Sequence, residues 1–517
     1  MRHRRTTGLL ALLVAAACID SDAAPVTPAA DYGPHAVGFR FVTELDQSRA
    51  VQPGRSFDGI TASGETAMPI EIGIWYPATA SSTGTRMSAE AYKTLRASQP
   101  REATVADFTR MAGFAGIRIS AADATAALTR PTRAVRDAQP EAGAFPLVIS
   151  GAFHGTGWMR AEYFASHGYV VVAAPSSART GTLEASQPEI ALETQTRNLE
   201  FLFAFARQQP FVDVTRLGVV GVNFDGMAAL VFEMRNMRAN AVISLDGYEA
   251  KAGNVDMLRR SPFFDPTRLR VPYLLFVQDE RDPSLSLAHD RAIWNSLVYS
   301  TRFWYVLRDF NHGRLISDVA NVSAQSPEQL AGHDFILRTM RLVLDAYVKG
   351  DRTAVTSLRR TAVENGLPAN LAKAADRRDA IAPAPTGEEF EQLVMGGSLE
   401  RAAQVYRDSK AANPELRLFD ENTISLYAFR YAQRKLVKEA LEIRKLAAEA
   451  FPQSPMAAYQ LGVAATDAGN TADARAAFER ALQLLSASPA SSGLSPSQAD
   501  ELRRDVEKRH AALPAKH

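Results

Sequence analysis

The stretch that decides the fold is Arg216-Leu-Gly-Val-Val-Gly-Val-Asn-Phe-Asp-Gly-Met-Ala-Ala229. Residues 217–222 form a continuous apolar run, as expected of a strand covered on both faces of a parallel sheet. A helical pattern begins near Gly226 and continues through residues 227–237. The passage from buried strand to helix takes only a few residues, between Gly221 and Gly226. Asn223 and Asp225 both lie inside that turn.

Working outward, similar apolar runs occupy residues 37–42, 70–76, 145–150, 169–173, 241–245, 271–277 and 302–307. Helical patterns at 159–167, 189–208 and 288–297 lie between them. Strands alternating with helices predict an α/β fold with a mostly parallel, doubly wound sheet of about eight strands. Residues 88–137 break this rhythm. They are rich in Ala, Thr and Arg, look helical in pieces, and are expected to form an inserted cap. The predicted α/β domain covers 37–350 and a linker covers 351–386.

From about Gly387 the pattern is helical only. Leu461, Gly462, Ala465, Gly469, Ala474, Phe478 and Ala481 resemble the small-and-large spacing of tetratricopeptide repeats. Tyr431, Ala440, Ala447 and Pro452 echo it one repeat earlier, and Ala402, Tyr406 and Pro414 form a third partial copy. The resemblance implies a helical-repeat domain over 387–517 that binds a protein or peptide. So few repeats are expected to pack on the first domain for stability.

The chain has 517 residues, 46% hydrophobic and 22% charged, which fits globular domains. Lys and Arg number 58 against 57 Asp and Glu, so no electrostatic case exists for a nucleic-acid partner. The one cysteine, Cys18, lies in the leader. The body therefore holds no internal disulfide, thiolate metal site or cysteine nucleophile. Residues 1–24 read as a signal peptide: Arg2, Arg4 and Arg5 precede a short apolar stretch. Ala15, Ala16 and Ala17 before Cys18 resemble a lipobox, although leucine is usual where Ala15 stands. Plain secretion and lipidation at Cys18 both remain open, so the expected location is exported: periplasmic, outer-membrane lipoprotein or secreted. Any membrane contact would come only through that anchor. Residues 25–36 form a polar linker.

Residues 37–350 resemble the platelet-activating-factor acetylhydrolase group, within the dienelactone-hydrolase-related α/β-hydrolases. The matching pieces are Ile74-Trp-Tyr-Pro77, Phe145-Pro-Leu-Val-Ile149, Ala165-Ser-His-Gly-Tyr-Val-Val171, the turn at 221–226, Ile243-Ser-Leu-Asp-Gly-Tyr248 and Asn311-His312. In α/β-hydrolases the strand-to-helix turn is the nucleophile elbow, Gly-x-Ser-x-Gly. The resemblance places Asn223 at the nucleophile position, Asp246 at the acid and His312 at the base. Asp282, in Gln278-Asp-Glu-Arg-Asp-Pro283, is the alternative acid. Backbone oxyanion donors would be Phe224 and Phe153. Asp225 stands where glycine is usual. As a carboxylate at a helix N-terminus it is favoured structurally, and it would oppose a nearby oxyanion.

Serine attacks because a histidine can take its hydroxyl proton, whereas a carboxamide offers no comparable nucleophile. The expectation is thus an exported protein of ester- or lipid-hydrolase ancestry, catalytically impaired, binding a small ester- or lipid-like ligand or a protein. Two alternatives stand beside it. One is an active ester hydrolase using water activated by His312 or a non-standard nucleophile. The other is an envelope scaffold acting through its repeats. No cofactor and no metal site is expected, since no His/Asp cluster has ligand spacing and no glycine loop fits a phosphate.

Overall fold

The structure is a computed structural model that describes residues 31–51, 66–80, 82–95, 101–151, 157–174, 187–250, 252–279, 292–317, 326–383, 385–487 and 494–514. Its centre is a run of six parallel strands. They are β5 (Phe145–Ser150), β6 (Val170–Ala173), β7 (Val212–Val222), β8 (Ala241–Leu245), β9 (Tyr273–Val277) and β10 (Arg302–Leu307). Every residue of β6, β8, β9 and β10 is buried. That is why their sequences read as near-continuous apolar runs and not as alternation.

The sheet is α/β in class and mixed at its edges. β1 (Ala36–Val51) and β2 (Thr66–Ala78) pair antiparallel, and β2 lies antiparallel to β6. β3 (Arg86–Ser88), β4 (Pro131–Arg136) and β11 (Ala372–Arg378) complete an eleven-stranded sheet in the order β11-β10-β9-β8-β7-β5-β6-β2-β1-β4-β3. About eight strands were expected. The three additional ones lie toward the two ends of the sheet and are short or polar: β11 buries none of its residues fully, and β4 only two of six. With so little burial they carry no continuous apolar signal.

Two sequence expectations change accordingly. The insert at 88–137 is helical only in its middle, at Ala89–Lys93, Arg101–Phe114 and Ala121–Thr129. It leaves the sheet from β3 and returns through β4, which pairs parallel with β1. The stretch 351–386, expected as linker, holds a helix at Arg352–Ser357 and the edge strand β11, antiparallel to β10.

Helices cover both faces. Pro188–Ala206 and Asp225–Asn236 build one apolar layer, around Leu199, Leu202, Met227 and Leu230. Trp158–Ser166 and Pro327–Tyr347 build the other, around Tyr163, Phe164, Phe335 and Met340. Each such fully buried side chain contributes about 1.5–3 kcal/mol.

The C-terminal helices, from Gly387–Met395 to Pro496–Ala511, have their own apolar clusters. Pro455–Asp467 packs against Thr471–Ala487 through a glycine: a Cβ on Gly462 would fall 2.5 Å from the Phe478 ring. Thr386, Ser454 and Ser495 cap three of these helices, with capping boxes at Thr386 and Ser495, and Asp420 caps a fourth. An exposed ion pair, Arg259 to Glu415 at 2.6 Å, ties them to the α/β part. Among the described residues, no helix is long and apolar enough to cross a membrane.

Candidate functional site

β7 ends at Val222, and the next helix starts at Asp225. The chain makes that turn by placing Asn223 in the left-handed region, φ 58°. For an L-residue this costs roughly 1–2 kcal/mol, least for asparagine and aspartate. Three hydrogen bonds hold it. Asn223 N donates to Leu245 O at 3.1 Å, and Asn223 O accepts from Gly226 N and Tyr248 N, both at 3.1 Å. Gly221 is obligatory here, because a Cβ would meet Asp225 O at 2.5 Å. The side chain of Asn223 therefore projects from a sharp, braced bend. Its Oδ1 is buried without a hydrogen-bond partner among the described residues.

Asp225 begins the helix and is 2% exposed. Its carboxylate lies against Gly151 at the end of β5, where a Cβ would come within 3.0 Å of Oδ2. Phe224 is buried and meets the Tyr248 ring edge-on at 5.8 Å.

Asp246 follows β8, the neighbour of β7, and also has positive φ, 46°. Its backbone N–H donates to Phe276 O at 2.8 Å. The carboxylate is 1% exposed; Oδ1 accepts from Gln278 N at 2.9 Å, and Oδ2 bonds Nδ1 of His312. His312 opens a short helix, His312–Ile316, capped by Asn311. Its own N–H donates to Gln278 Oε1 at 3.1 Å. With Nδ1–H given to the carboxylate, the Nε2 lone pair is free to act as a base or to accept a hydrogen bond. Among the described residues, no hydrogen bond joins His312 to Asn223.

Under the elbow lies a buried carboxyl, Glu249, which accepts from Tyr273 OH at 2.8 Å. Burial pushes it above the ordinary carboxylate range. Gly226 and Gly247 sit directly on it, with positions where a Cβ would fall 2.4 and 2.2 Å from Oε2.

The structure thus gathers Asn223, Asp225, Phe224, Asp246 and His312 beyond the C-terminal ends of β7, β8 and β10. Cys18, Phe153 and Asp282 lie outside the described residues. Sequence reading missed Gln278, Glu249 and Arg314, whose Nε donates to Ala115 O of the insert at 2.9 Å. Gln278 alone had a signal, its place directly after a buried strand. Glu249 and Arg314 act through tertiary contacts that no spacing announces. Among the described residues, no group of three or more His, Cys, Asp or Glu could hold a metal ion.

No family model matches the chain, and no curated protein matches it. Among solved structures, a ferulic acid esterase from Streptomyces cinnamoneus is similar at 18% identity and TM-score 0.46. The similarity covers 69% of this chain and all of that one.

Proposed function

We propose that this chain is an α/β-hydrolase-fold protein of carboxylic-ester hydrolase ancestry that has lost acyl-enzyme chemistry and binds an ester- or lipid-like ligand at the retained site. One observation carries the reading: Asn223, at φ 58°, occupies the strand-to-helix bend, one strand from the bonded Asp246–His312 pair. In an acyl-enzyme cycle the bend carries a hydroxyl whose proton passes to the imidazole. The amide of Asn223 has no comparably acidic proton, and no ester bond to it can form. Asp225, buried in the same turn, works against an oxyanion stabilised by the Phe224 N–H. The C-terminal helices we read as tetratricopeptide-like repeats with a protein or peptide partner, and residues 1–24 as an export leader, with Cys18 open to lipidation.

A second reading is favoured by the bonded dyad itself. His312 Nε2 can take a proton from water while the water oxygen attacks the ester carbonyl. The imidazolium, stabilised by Asp246, then returns the proton to the departing alkoxide. Removal of a triad member still leaves roughly 10³-fold over water in serine proteases, so low turnover by this route is chemically reasonable.

The test is an assay of short-chain nitrophenyl esters with wild type, Asn223→Ser and His312→Ala. Binding without turnover by wild type, together with turnover by Asn223→Ser, supports the first reading. Wild-type turnover that disappears in His312→Ala supports the second. Inert Asn223→Ser with no ester binding contradicts both.

A further inference from the structure

The insert does more than decorate the sheet. Its second helix ends at Phe114, and the chain reverses at Gly116, φ 73°. That corner docks on the segment carrying the candidate base. Arg314 Nε donates to Ala115 O at 2.9 Å, and Asn311 Nδ2 to Phe114 O at 3.4 Å. Backbones touch as well: a Cβ on Gly313 would fall 2.6 Å from Phe114 O. The backbone at Phe114 is thereby anchored, and its ring meets the His312 imidazole edge-to-face, centroids 5.7 Å apart at 80°.

The neighbouring apolar residues Phe108, Ala112, Ala115 and Ile117 are buried, but Phe114 is 51% exposed. An aromatic ring packed edge-to-face against the base and left half open to solvent presents an apolar surface beside it. Covering that surface is favourable for any apolar group brought beside His312.

We infer that Phe114 is a specificity residue which receives an apolar group of the ligand, so the ligands are esters bearing an aryl or alkyl chain beside His312. The inference rests on the site reading proposed above. Rings in the T-shaped and offset arrangements that Phe114 can offer favour aryl groups over alkyl ones.

Calorimetric titration of the full chain with phenyl acetate, hexyl acetate and methyl acetate tests it, KM replacing Kd if the esters turn over. Phe114→Ala should weaken phenyl and hexyl acetate about tenfold and leave methyl acetate unchanged. Phe114→Leu should restore hexyl but not phenyl acetate. Thermal melts check that the half-exposed position leaves the fold intact. Phenyl and hexyl affinities equal to wild type in Phe114→Ala overturn the inference alone. Failure of wild type to bind any of the esters overturns the site reading and the inference with it.

Discussion

His312 and Asp246 are joined side chain to side chain, and one residue braces both: Gln278 donates its N–H to Asp246 and accepts the N–H of His312 through its side-chain oxygen. The carboxylate lies at the end of β8, and the imidazole enters after β10. The fold therefore imposes the pairing from two separate strands. Asp246→Ala leaves Nδ1 of His312 and the Gln278 N–H without this acceptor. Such losses at a buried, charge-assisted bond cost about 1.5–3 kcal/mol. Urea unfolding should show about 2 kcal/mol less stability, and unchanged stability would mean the pair is not formed.

The elbow makes a second prediction. Gly221 passes so close to Asp225 O that a methyl group cannot fit without moving backbone. Gly221→Ala should cost about 3 kcal/mol, at the upper end of overpacking effects. Chemical denaturation measures it, and a cost below about 0.5 kcal/mol would mean the turn is looser than described.

A third concerns pH. Burial pushes the Glu233 carboxyl up to about 7 from its ordinary 4.5, against the opposing pull of the Ala239 and Arg238 N–H groups. The folded-state value exceeds the unfolded one, so this group's stabilisation is complete below pH 4.5 and is lost as pH rises through 7. Glutamine keeps the acceptor and removes the titration. The stability difference between Glu233→Gln and wild type should therefore shift toward the variant by about 3 kcal/mol across that window. Urea unfolding at its two ends checks this, and a constant difference would contradict it.

How much of this was legible in sequence follows from burial. β6 and β8, buried throughout, were readable because their runs have one physical explanation. β4, with Thr132 and Ala134 as its only buried residues, looked like part of a helical insert. β11, Ala-Lys-Ala-Ala-Asp-Arg-Arg, looked like linker. Asn223, Asp246 and His312 were legible because each follows a buried strand in a recognisable short motif. The bracing of the pair by Gln278 and the Phe114 contact were not, since they depend on strand order and on where the insert lands.

The C-terminal helices give a fourth prediction. Phe478 is fully buried over Gly462. Phe478→Ala should cost about 3–5 kcal/mol. Because the cluster around it is separate from the sheet's, hydrogen exchange should rise in residues 455–511 and stay unchanged at β7 and β8. Increased exchange at the strands would mean the two parts unfold as one.

The most direct measurement is fluorophosphonate labelling followed by mass spectrometry, on wild type, Asn223→Ser and Asn223→Ser/His312→Ala. The predicted result is no adduct on wild type, an adduct on residue 223 of the single variant, and none on the double variant. An adduct on any serine of wild type, or none on Asn223→Ser, would contradict a site disarmed by one side chain at the elbow.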